Sequence, residues 1–407
     1  MKAKKKKKVF FIFNATTHYY NLVLNKLNSF TDYEIHIIVP KERKNNVGAA
    51  VFQTTENLKI QLHELEERVK YKIIGSYFPD LPALIWKERP KIIVTLTAYE
   101  RGLYLHPLTF FLLKLFDIKI VLKNIPFRFP AYKNPFQKLR EQLEKRKLSF
   151  ADLRRYKRQI INDFLEKWFY AYVHDAHVCY VERAYELYPT YGVNPKSIFI
   201  TYNSPDTDFL LETNEKAKQL APVLPYNPYR LIHIGRLVDW KRVDLIIRAV
   251  NILKEKFPEV ELLVAGFGPQ EEEWQKLAVA LGVQDRVIFL GGVYDYLRLG
   301  QYLHSSSIYV LGGMGGLSIN DAMCFEKPIV CSICDGTEVK LVKDGINGFY
   351  FKEGDFNDLA AKIEKIFVDP DLAKRMGQNS VSIIKNEINI QKVLEGYTKA
   401  FEYALNK

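Results

Sequence analysis

Short runs of apolar residues recur along the first half of the chain, and polar or amphipathic segments separate them. Their content of β-branched and aromatic residues predicts buried strands. The predicted strands are residues 9–13, 34–40, 72–74, 91–96, 119–122, 177–181 and 197–202. Apolar residues at helical spacing predict helices between several of these strands, at residues 19–27, 57–69 and 102–116. The alternation of apolar strands with helices indicates an α/β fold with a parallel, doubly wound sheet.

The same alternation resumes after residue 228, where the predicted strands again end in glycine turns. These strands are residues 231–237, 260–265, 286–290, 307–311 and 328–330, and Lys241 is expected to begin the helix after the first of them. Because a chain of 407 residues is too long for one hydrophobic core, the pattern predicts two Rossmann-like domains. The expected division is a first domain at 1–205, a proline-containing linker at 206–228, a second domain at 229–385 and a helical segment at 386–407 that could lie back across the first domain.

Residues 131–170 interrupt this alternation with two stripes of apolar side chains at helical spacing. The first stripe is Tyr132, Phe136, Leu139 and Leu143, and the second is Phe150, Leu153, Tyr156, Ile160, Phe164 and Trp168. A capping box from Ser149 to Asp152 would begin the second helix, and Lys and Arg occupy the opposite faces. One interpretation is a helical pair that lies on a membrane surface. The other is a helical insertion that packs on the first domain and leaves a solvated basic face.

The distribution of basic residues along the chain indicates which class of partner the protein binds. The formal net charge is +12; residues 1–8 carry six lysines, and residues 131–170 carry 11 Lys and Arg against 5 Asp and Glu. The rest of the chain is therefore neutral. A basic surplus confined to two segments indicates a local anionic surface, so an anionic membrane is expected as a partner and a nucleic acid is not.

Several function classes receive little support from the sequence. The four cysteines are too few and too clustered for a secreted disulfide framework, and the lone CxxC spacing of Cys331 and Cys334 lacks a second pair. No apolar run reaches the length of a transmembrane helix, and the apolar run after the lysine-rich start is too short for the h-region of a signal peptide, so a cytoplasmic location is expected. Asp206 and Asp208 form a DxD spacing that can hold a metal and a diphosphate, but its place beside a proline favours turn and capping chemistry.

A glycine-rich turn between a predicted strand and a predicted helix is the strongest candidate site. Residues 307–311 are the strand, residues 312–316 are the turn, and the helix begins near Leu317 with Asp321 one turn inside it. Glycines let a ligand approach the backbone, and the N–H groups of a first helical turn attract negative charge. An ordinary strand–turn–helix connection would show the same pattern. In the first domain, the carboxyl ends of strands point to residues 14–18, 95–100 and 123–128 as the binding edge.

Several motifs of the second half share the order and spacing found in a known family. They are Gly235-Arg236-Leu237 with Lys241, then Gly266-Phe-Gly-Pro269, then Gly316-Leu317 with Asp321-Ala-Met323, then Lys327-Pro-Ile-Val330, and then Asp344-Gly-Ile-Asn-Gly348. In these motifs the chain resembles the family 4 glycosyltransferases, which are retaining enzymes of the GT-B fold that use sugar nucleotides. The resemblance is strong over residues 229–385, whereas only the alternation of strands and helices matches in the first 205 residues.

The resemblance implies a sugar-nucleotide donor at the strand ends of the second domain and an acceptor on the first. Arg236 and Lys241 are then the expected catalytic residues, because fixed cations stabilise the charge that develops on the leaving diphosphate. The expected donor-binding residues are Gly235, Gly266, Gly268, Met314, Gly315, Gly316, Leu317, Ser318 and Asp321, and the expected acceptor-side residues are Thr16, Thr17, His18 and Asn124. With two cations present, neither a metal ion nor another cofactor is expected.

Two positions depart from the family pattern. Asp321 matches the second acidic residue of the paired-glutamate motif, which holds ribose, but the first glutamate falls on Gly313, so the usual contact to the donor sugar is missing. The family's catalytic histidine in the first domain is also not evident, and Lys123 or Asn124 lies near its expected place. His18 and His106 are candidates elsewhere, although a single histidine is more often structural.

The function expected from these features is transfer of a hexosyl group from a nucleoside diphosphate donor to a lipid-linked glycan or a surface-polysaccharide precursor. The expected location is the inner face of the cell membrane, with peripheral attachment. Three alternatives stay open: a sugar phosphorylase of the GT-B fold, a nucleotide-sugar epimerase, and a non-catalytic subunit that binds a sugar nucleotide.

Overall fold

The computed structural model describes residues 6–42, 52–71, 75–124, 130–136, 150–334 and 336–407. The chain forms two compact units. The first contains the described residues up to Tyr202, except Phe52 and Gln53, together with Val393–Lys407. The second contains Phe52, Gln53 and Asn203–Lys392.

The first unit is built on a parallel sheet of seven strands, in the order β3-β2-β1-β6-β7-β8-β9. Its strands are β1 (Lys7–Ile12), β2 (Tyr33–Pro40), β3 (Gln61–Leu65), β6 (Ile92–Thr95), β7 (Lys119–Asn124), β8 (Ala176–Cys179) and β9 (Ile198–Ile200); β4 (Arg68–Tyr71) and β5 (Gly75–Tyr77) form a separate antiparallel pair. Strands β1, β6 and β7 lie at the centre and are almost completely buried, as their continuous apolar runs require.

Helices connect these strands and cover the sheet. They are α1 (His18–Phe30), α2 (Leu81–Glu88), α3 (Thr97–Leu105), α4 (Pro107–Leu115), α5 (Phe150–Trp168) and α6 (Ala184–Leu187), and a π-helical turn at Phe169–Val173 extends α5. The 3-10 turns of this unit are Tyr188–Tyr191 and Pro195–Ser197. The helix predicted over 102–116 is in fact two helices, because His106 is extended and Pro107 begins α4.

The helix predicted over residues 57–69 is wrong. That segment contains strand β3 at the edge of the sheet and the start of β4. An edge strand is buried on few of its positions, so its polar residues obscured the strand pattern. The strand predicted at 72–74 and the positions of Leu139, Leu143 and Ser149 lie outside the described residues.

The second unit contains a parallel sheet of six strands, in the order β12-β11-β10-β13-β14-β15. The strands are β10 (Arg230–Ile234), β11 (Glu261–Ala265), β12 (Val287–Gly291), β13 (Ile308–Leu311), β14 (Ile329–Cys331) and β15 (Gly348–Tyr350). The helices are α7 (Thr207–Lys218), α8 (Val243–Leu253), α9 (Glu271–Ala280), α10 (Tyr296–Ser305), α11 (Ser318–Cys324), α12 (Glu338–Leu341), α13 (Phe356–Phe367) and α14 (Pro370–Asn386), with 3-10 turns at Asp239–Lys241 and Gln284–Arg286.

The remaining helix, α15 (Ile390–Leu405), carries the chain back to the first unit. Phe401 lies with its ring 5.0 Å from Tyr33 and 6.3 Å from Phe11, and Tyr397 lies 5.6 Å from Phe11. These buried aromatic contacts attach the end of the chain to strands β1 and β2. The range 206–228, expected to be a linker, is regular over much of its length, because α7 occupies Thr207–Lys218.

Candidate active site

Three glycines let the carboxyl ends of strands β10 and β11 approach each other closely. A Cβ atom on Gly266 would lie 1.8 Å from the carbonyl oxygen of Gly235, and one on Gly268 would lie 2.3 Å from that of Leu237. Side chains are therefore excluded at both positions, because the turn after β11 packs directly against the turn after β10. Gly235 also borders the site, because a Cβ atom there would lie 3.7 Å from Cε of Lys241.

The glycine-rich loop after strand β13, residues 312–317, is attached to the turn after strand β10. The backbone N–H of Met314 donates to the carbonyl of Trp240 at 2.8 Å. The ammonium of Lys241 donates to the carbonyls of Met314 at 2.9 Å and Gly315 at 2.8 Å. Because only 6% of Lys241 is exposed, its side chain reaches the loop through the interior. The two segments predicted to bind the donor are thus joined by direct hydrogen bonds.

Lys241 does not begin the following helix, as the sequence pattern suggested. It ends the 3-10 turn Asp239–Lys241, and Arg242 adopts a left-handed conformation with φ of 51° before α8 starts at Val243. This reversal directs the Lys241 side chain under the glycine-rich loop. A Cβ atom on Gly316 would lie 3.1 Å from the Lys241 ammonium nitrogen, so the charge sits directly beside Gly316.

Gly313 occupies the position where the family motif has its first glutamate, and there is no space for a side chain. A Cβ atom on Gly313 would lie 2.2 Å from the carbonyl oxygen of Trp240 and 2.9 Å from Cγ of Arg242. The neighbouring Gly312 is equally confined, because its Cβ would lie 2.1 Å from the carbonyl of Arg242. Glycine in place of glutamate therefore allows the loop to pack closely against the turn after β10.

Asp321 is a buried carboxylate on helix α11. Only 9% of the residue is exposed, and its Oδ1 has no hydrogen-bond partner among the described residues. Burial raises the pKa of Asp321 to about 7, since desolvation penalises the charged form. A buried oxygen without a partner is costly, so a ligand hydroxyl that donates to it would be favoured. At the start of the same helix, Ser318 Oγ and Tyr309 OH are hydrogen-bonded at 2.7 Å.

Arg236 follows Gly235 and is partly exposed at the same edge. Its guanidinium lies 5.8 Å from the ring centroid of Trp240, and this cation–π contact restricts the motion of the side chain. Leu317 is the residue before α11, and its carbonyl accepts the first helical hydrogen bond from Asp321. The structure thus brings all the predicted catalytic and donor-binding residues to one edge of the second sheet.

His233 is a residue of this region that the sequence did not indicate. It is completely buried in strand β10, and its Nδ1 lies 3.1 Å from the carbonyl oxygen of Val310. Burial, and to a smaller extent the charge of Lys241, lower the pKa of His233 to about 4. The ring is therefore neutral, and its Nε2, which has no partner in the described part of the chain, faces the Gly235 turn. Nothing in the alternation of β10 distinguishes this histidine from an ordinary core position.

The acceptor-side candidates lie in the first unit, after strands β1 and β7. Thr16 and Thr17 are buried, and His18 begins helix α1. Burial lowers the pKa of His18 to about 4, so this residue is neutral at physiological pH. Asn124 ends β7 and donates from its amide to the hydroxyl of Tyr170, which lies in the π-helical turn after α5. Asn124 therefore connects the sheet edge with the basic helical region.

The two other candidate motifs have ordinary structural partners. Asp206 caps helix α7, where its carboxylate accepts from the backbone N–H of Phe209 at 3.2 Å. Cys331 is buried in strand β14, and no disulfide joins any of the four cysteines, all of which lie in the described ranges. Among the described residues, no group of three or more His, Cys, Asp or Glu side chains is arranged to hold a metal ion.

Comparison with known proteins agrees with this geometry. Residues 215–382 match the model of the family Glycosyl transferases group 1. An uncharacterised glycosyltransferase of Methanocaldococcus jannaschii is 31% identical over 219 residues, which cover 53% of this chain and 55% of that protein. The capsular polysaccharide biosynthesis glycosyltransferase CapM of Staphylococcus aureus is 26% identical over 192 residues, which cover 46% of this chain and 49% of that protein. The chain spans about half the length of these curated relatives.

The fold comparison extends over both units. The crystal structure of Anabaena HepE in complex with UDP superimposes with a TM-score of 0.66 at 14% identity, covering 97% of this chain and 99% of that one. The fold is that of the GT-B glycosyltransferases, as the resemblance implied. The resemblance inferred from the motifs is confirmed over residues 215–382, which match the group 1 glycosyltransferase model.

Proposed function

We propose that the protein is a retaining glycosyltransferase. It transfers a hexosyl group from a nucleoside diphosphate donor, held by the second unit, to a lipid-linked glycan or a surface-polysaccharide precursor. The family match of residues 215–382 supports glycosyl transfer, and CapM and HepE provide the analogy for a polysaccharide product and a UDP-type donor.

The observation that carries the proposal is the joined pair of segments at residues 235–241 and 312–321. Lys241 places a buried positive charge under the glycine-rich loop, and Asp321 places a carboxylate without a partner one helical turn beyond it. A nucleoside diphosphate complements both groups, because its phosphates are anionic and its ribose carries hydroxyl donors. Arg236 adds a planar guanidinium at the same edge, suited to grip two phosphate oxygens.

These cations give the chemistry its physical basis. Cleavage of the bond between the sugar and the diphosphate develops negative charge on the leaving phosphate. Fixed positive charges at that place stabilise the transition state more than the ground state, which raises kcat. We therefore assign the catalytic role to Arg236 and Lys241, and we propose that turnover does not require a metal ion.

A non-catalytic subunit that binds a sugar nucleotide is the second candidate, and Gly313 is the observation that favours it. Without a side chain at this position, the loop lacks the carboxylate that would orient the donor sugar. Binding would then persist while the orientation of the sugar for reaction is lost.

A panel of sugar nucleotides tests both candidates. A ligand that binds the folded protein raises its apparent stability, so the melting temperature identifies the donor, and product formation from that donor identifies the enzyme. The transferase requires a stabilising donor and turnover with a glycan acceptor. Stabilisation without turnover on any acceptor supports the binding subunit. If no nucleotide stabilises the protein, the donor site assigned here is wrong.

For location, we propose peripheral attachment to the inner face of the cell membrane through the first unit. None of the helices in the described ranges is long and apolar enough to cross a bilayer. Helix α5 instead exposes Ile161, Phe164 and Trp168 by 44–51%, at a spacing that places them on one side of the helix. The side chain of Tyr156 lies outside the described residues.

Helix α4 adds a second exposed apolar stripe that the sequence analysis did not consider. Leu108, Phe111 and Leu115 repeat the spacing of the α5 stripe and are 52–57% exposed. Rings connect the two helices: Tyr104 lies 6.2 Å from Phe110 and 5.9 Å from Phe169, and Phe169 lies 5.3 Å from Trp168. Exposed apolar side chains in such number are typical of an interaction surface.

Basic residues accompany both stripes and favour an anionic lipid surface as the partner. Lys157 and Arg158 are exposed on α5, and Lys114 lies beside Phe110 on α4. Each cation near an anionic leaflet contributes about 1 kcal/mol, and shallow insertion of the aromatic rings adds to it. Salt screens such charges, so attachment should weaken as ionic strength rises.

Flotation with anionic liposomes tests this location. We expect wild type to float at low salt and less at high salt. Reversal of Arg154, Arg155 and Arg158 with removal of residues 2–8, or replacement of Leu108, Phe111 and Leu115 by serine, should abolish flotation. Phe30→Ser removes a residue of the same unit that is 67% exposed on helix α1 and serves as the matched control. If wild type does not float at low salt, the membrane assignment fails.

A further inference from the structure

Lys123 is a buried lysine at the carboxyl-terminal edge of the first sheet, and it has no role in the transfer reaction proposed above. It is the penultimate residue of strand β7, and 8% of its surface is exposed. The carboxyl ends of the central strands of a parallel sheet are where ligands bind. Lys123 thus combines a charge, burial and a ligand-binding position.

Three aromatic rings surround the ammonium of Lys123. The ring centroids of Tyr180, Tyr20 and Phe13 lie 4.5, 4.8 and 5.4 Å from the nitrogen. The hydroxyl of Tyr180 accepts a hydrogen bond from the ammonium, and Tyr20 is fixed in turn by a hydroxyl–hydroxyl contact with Tyr397. The cage is therefore built from the residue after strand β1, from helix α1 and from the residue after strand β8.

Among the described residues no acidic side chain compensates this charge, and the hydrogen bond of Lys123 is to a neutral phenol. An ammonium carries three N–H donors, and the rings can satisfy only part of that demand. Burial lowers the pKa of Lys123 to about 8, so the group is largely protonated at pH 7 but weakly stabilised. A buried cation in this condition favours an anion as its partner.

Neighbouring groups at the same edge also suit an anion. Helix α1 starts next to the cage; its N-cap residue Thr17 makes no side-chain capping bond, and its first turn lacks an acidic residue. The first turn of the helix therefore supplies no carboxylate to offset the positive end of the helix dipole. Thr16, which is 1% exposed, has a hydroxyl oxygen with no hydrogen-bond partner in the described ranges.

We propose that the Lys123 ammonium is an anion-binding group of the first unit and receives a phosphate group of the acceptor. The assignment of the phosphate to the acceptor rests on the proposed function, whereas the anion site itself does not. Two sources of this phosphate, a water-soluble phosphorylated sugar and a polyprenyl-linked carrier, share the chemistry that Lys123 recognises.

The test follows the titration of Lys123 directly in the full chain. Lysines labelled with carbon-13 at Cε each give a resonance, and Lys123→Arg, or Lys123→Met if the arginine variant does not fold, identifies that of Lys123. Without phosphate, we expect its midpoint near pH 8. Bound phosphate favours the protonated form, so inorganic phosphate should raise the midpoint by about half a unit or more.

Two controls make the result specific. Lys119 lies at the opposite end of the same strand and pairs with Asp117 at 2.8 Å, so its Cε resonance should not respond to phosphate. The experiment is repeated in Arg236→Ala, which removes a cation expected to hold donor phosphate in the second unit. A Lys123 response that disappears in this variant would overturn an independent site in the first unit.

Vesicles separate the two sources of the anion. A rise with inorganic phosphate assigns a water-soluble phosphorylated acceptor. A rise that requires phosphatidylcholine vesicles containing polyprenyl phosphate, and is absent with phosphatidylcholine alone, assigns a lipid-linked acceptor. No rise with either probe overturns the proposal. Because this titration needs neither donor nor turnover, its failure is distinguishable from failure of the nucleotide panel, which tests the transferase itself.

Discussion

The ammonium of Lys241 and the carbonyl oxygen of Gly315 are 2.8 Å apart, although 74 residues separate them in the chain. With the second bond to Met314, this contact fixes the glycine-rich loop to the turn after strand β10. One side chain thus shapes the loop and supplies positive charge to it. The two effects can be separated by experiment, since shape affects binding and stability whereas charge also affects the chemical step.

Replacement of Lys241 by alanine should lower kcat by about a hundredfold or more, on the scale of losing one donor to a developing oxyanion. Steady-state kinetics with the donor found in the nucleotide panel measures the effect. Lys276→Ala is the matched control, because Lys276 is exposed on helix α9 and pairs with Glu272 one turn away. Near-native kcat with only weaker donor binding would show that Lys241 shapes the loop without taking part in catalysis.

Arg236 should also act mainly in the transition state. We expect Arg236→Ala to reduce kcat by about a hundredfold or more, and Arg236→Lys to recover only part of that loss, because an ammonium cannot reproduce the planar two-point contact of a guanidinium. The same assay gives kcat and KM for both variants. Full recovery in Arg236→Lys would mean that charge alone matters, and an unchanged kcat in Arg236→Ala would remove the residue from the catalytic assignment.

Asp321 should make the stability of the empty protein depend on pH. Its folded pKa of about 7 lies above the unfolded value of 3.8, so the folded state binds the additional proton and stability falls as pH rises through this interval. The penalty above pH 7 is about 4 kcal/mol, from about 1.4 kcal/mol per unit. Thermal melts should therefore show that Asp321→Asn gains stability relative to wild type between about pH 4 and pH 8. If the difference in stability between Asp321→Asn and wild type did not change with pH across that range, burial would not raise the pKa of the Asp321 carboxyl group.

Turnover should persist in excess EDTA, because Arg236 and Lys241 supply the positive charge on which the proposed chemistry depends. The comparison is the initial rate with and without chelator, after dialysis against EDTA. Complete loss of activity that magnesium or manganese restores would revive Asp206 and Asp208 as metal ligands. Asp208→Asn would then be the first variant to examine.

The sequence was sufficient for the repeating strands and helices of both units, because apolar strands in parallel sheets are continuous and glycines mark their ends. It failed at strand β3, where an edge position leaves Gln61 and Glu64 exposed and the apolar spacing resembles that of a helix. It also misplaced the start of helix α8 by two residues, because a left-handed residue such as Arg242 carries no sequence signal.

The sequence predicted which residues form the candidate site, but it did not predict the contacts between them. The motifs indicated Arg236, Lys241 and Asp321, yet the bonds from Lys241 to the loop depend on a reversal of the chain at Arg242. The confinement of Gly313 by the Trp240 carbonyl is likewise a long-range contact. The sequence placed Lys123 near the expected catalytic histidine, but the rings around its ammonium became visible only in the structure. His233 stood out only when the structure revealed its burial.

Calorimetric titration of Asp321→Ala tests the central claim most directly, namely that the loop and helix after strand β13 hold the nucleoside diphosphate. The ligands are the intact donor from the nucleotide panel and its free nucleoside diphosphate, and Asp371→Ala, at an exposed position of helix α14, is the control. If Asp321 holds the ribose, both ligands should lose the same factor in affinity relative to wild type, while the control binds normally. A loss confined to the intact donor would move Asp321 to the sugar subsite, and unchanged affinity for both ligands would contradict the assignment of this edge as the donor site.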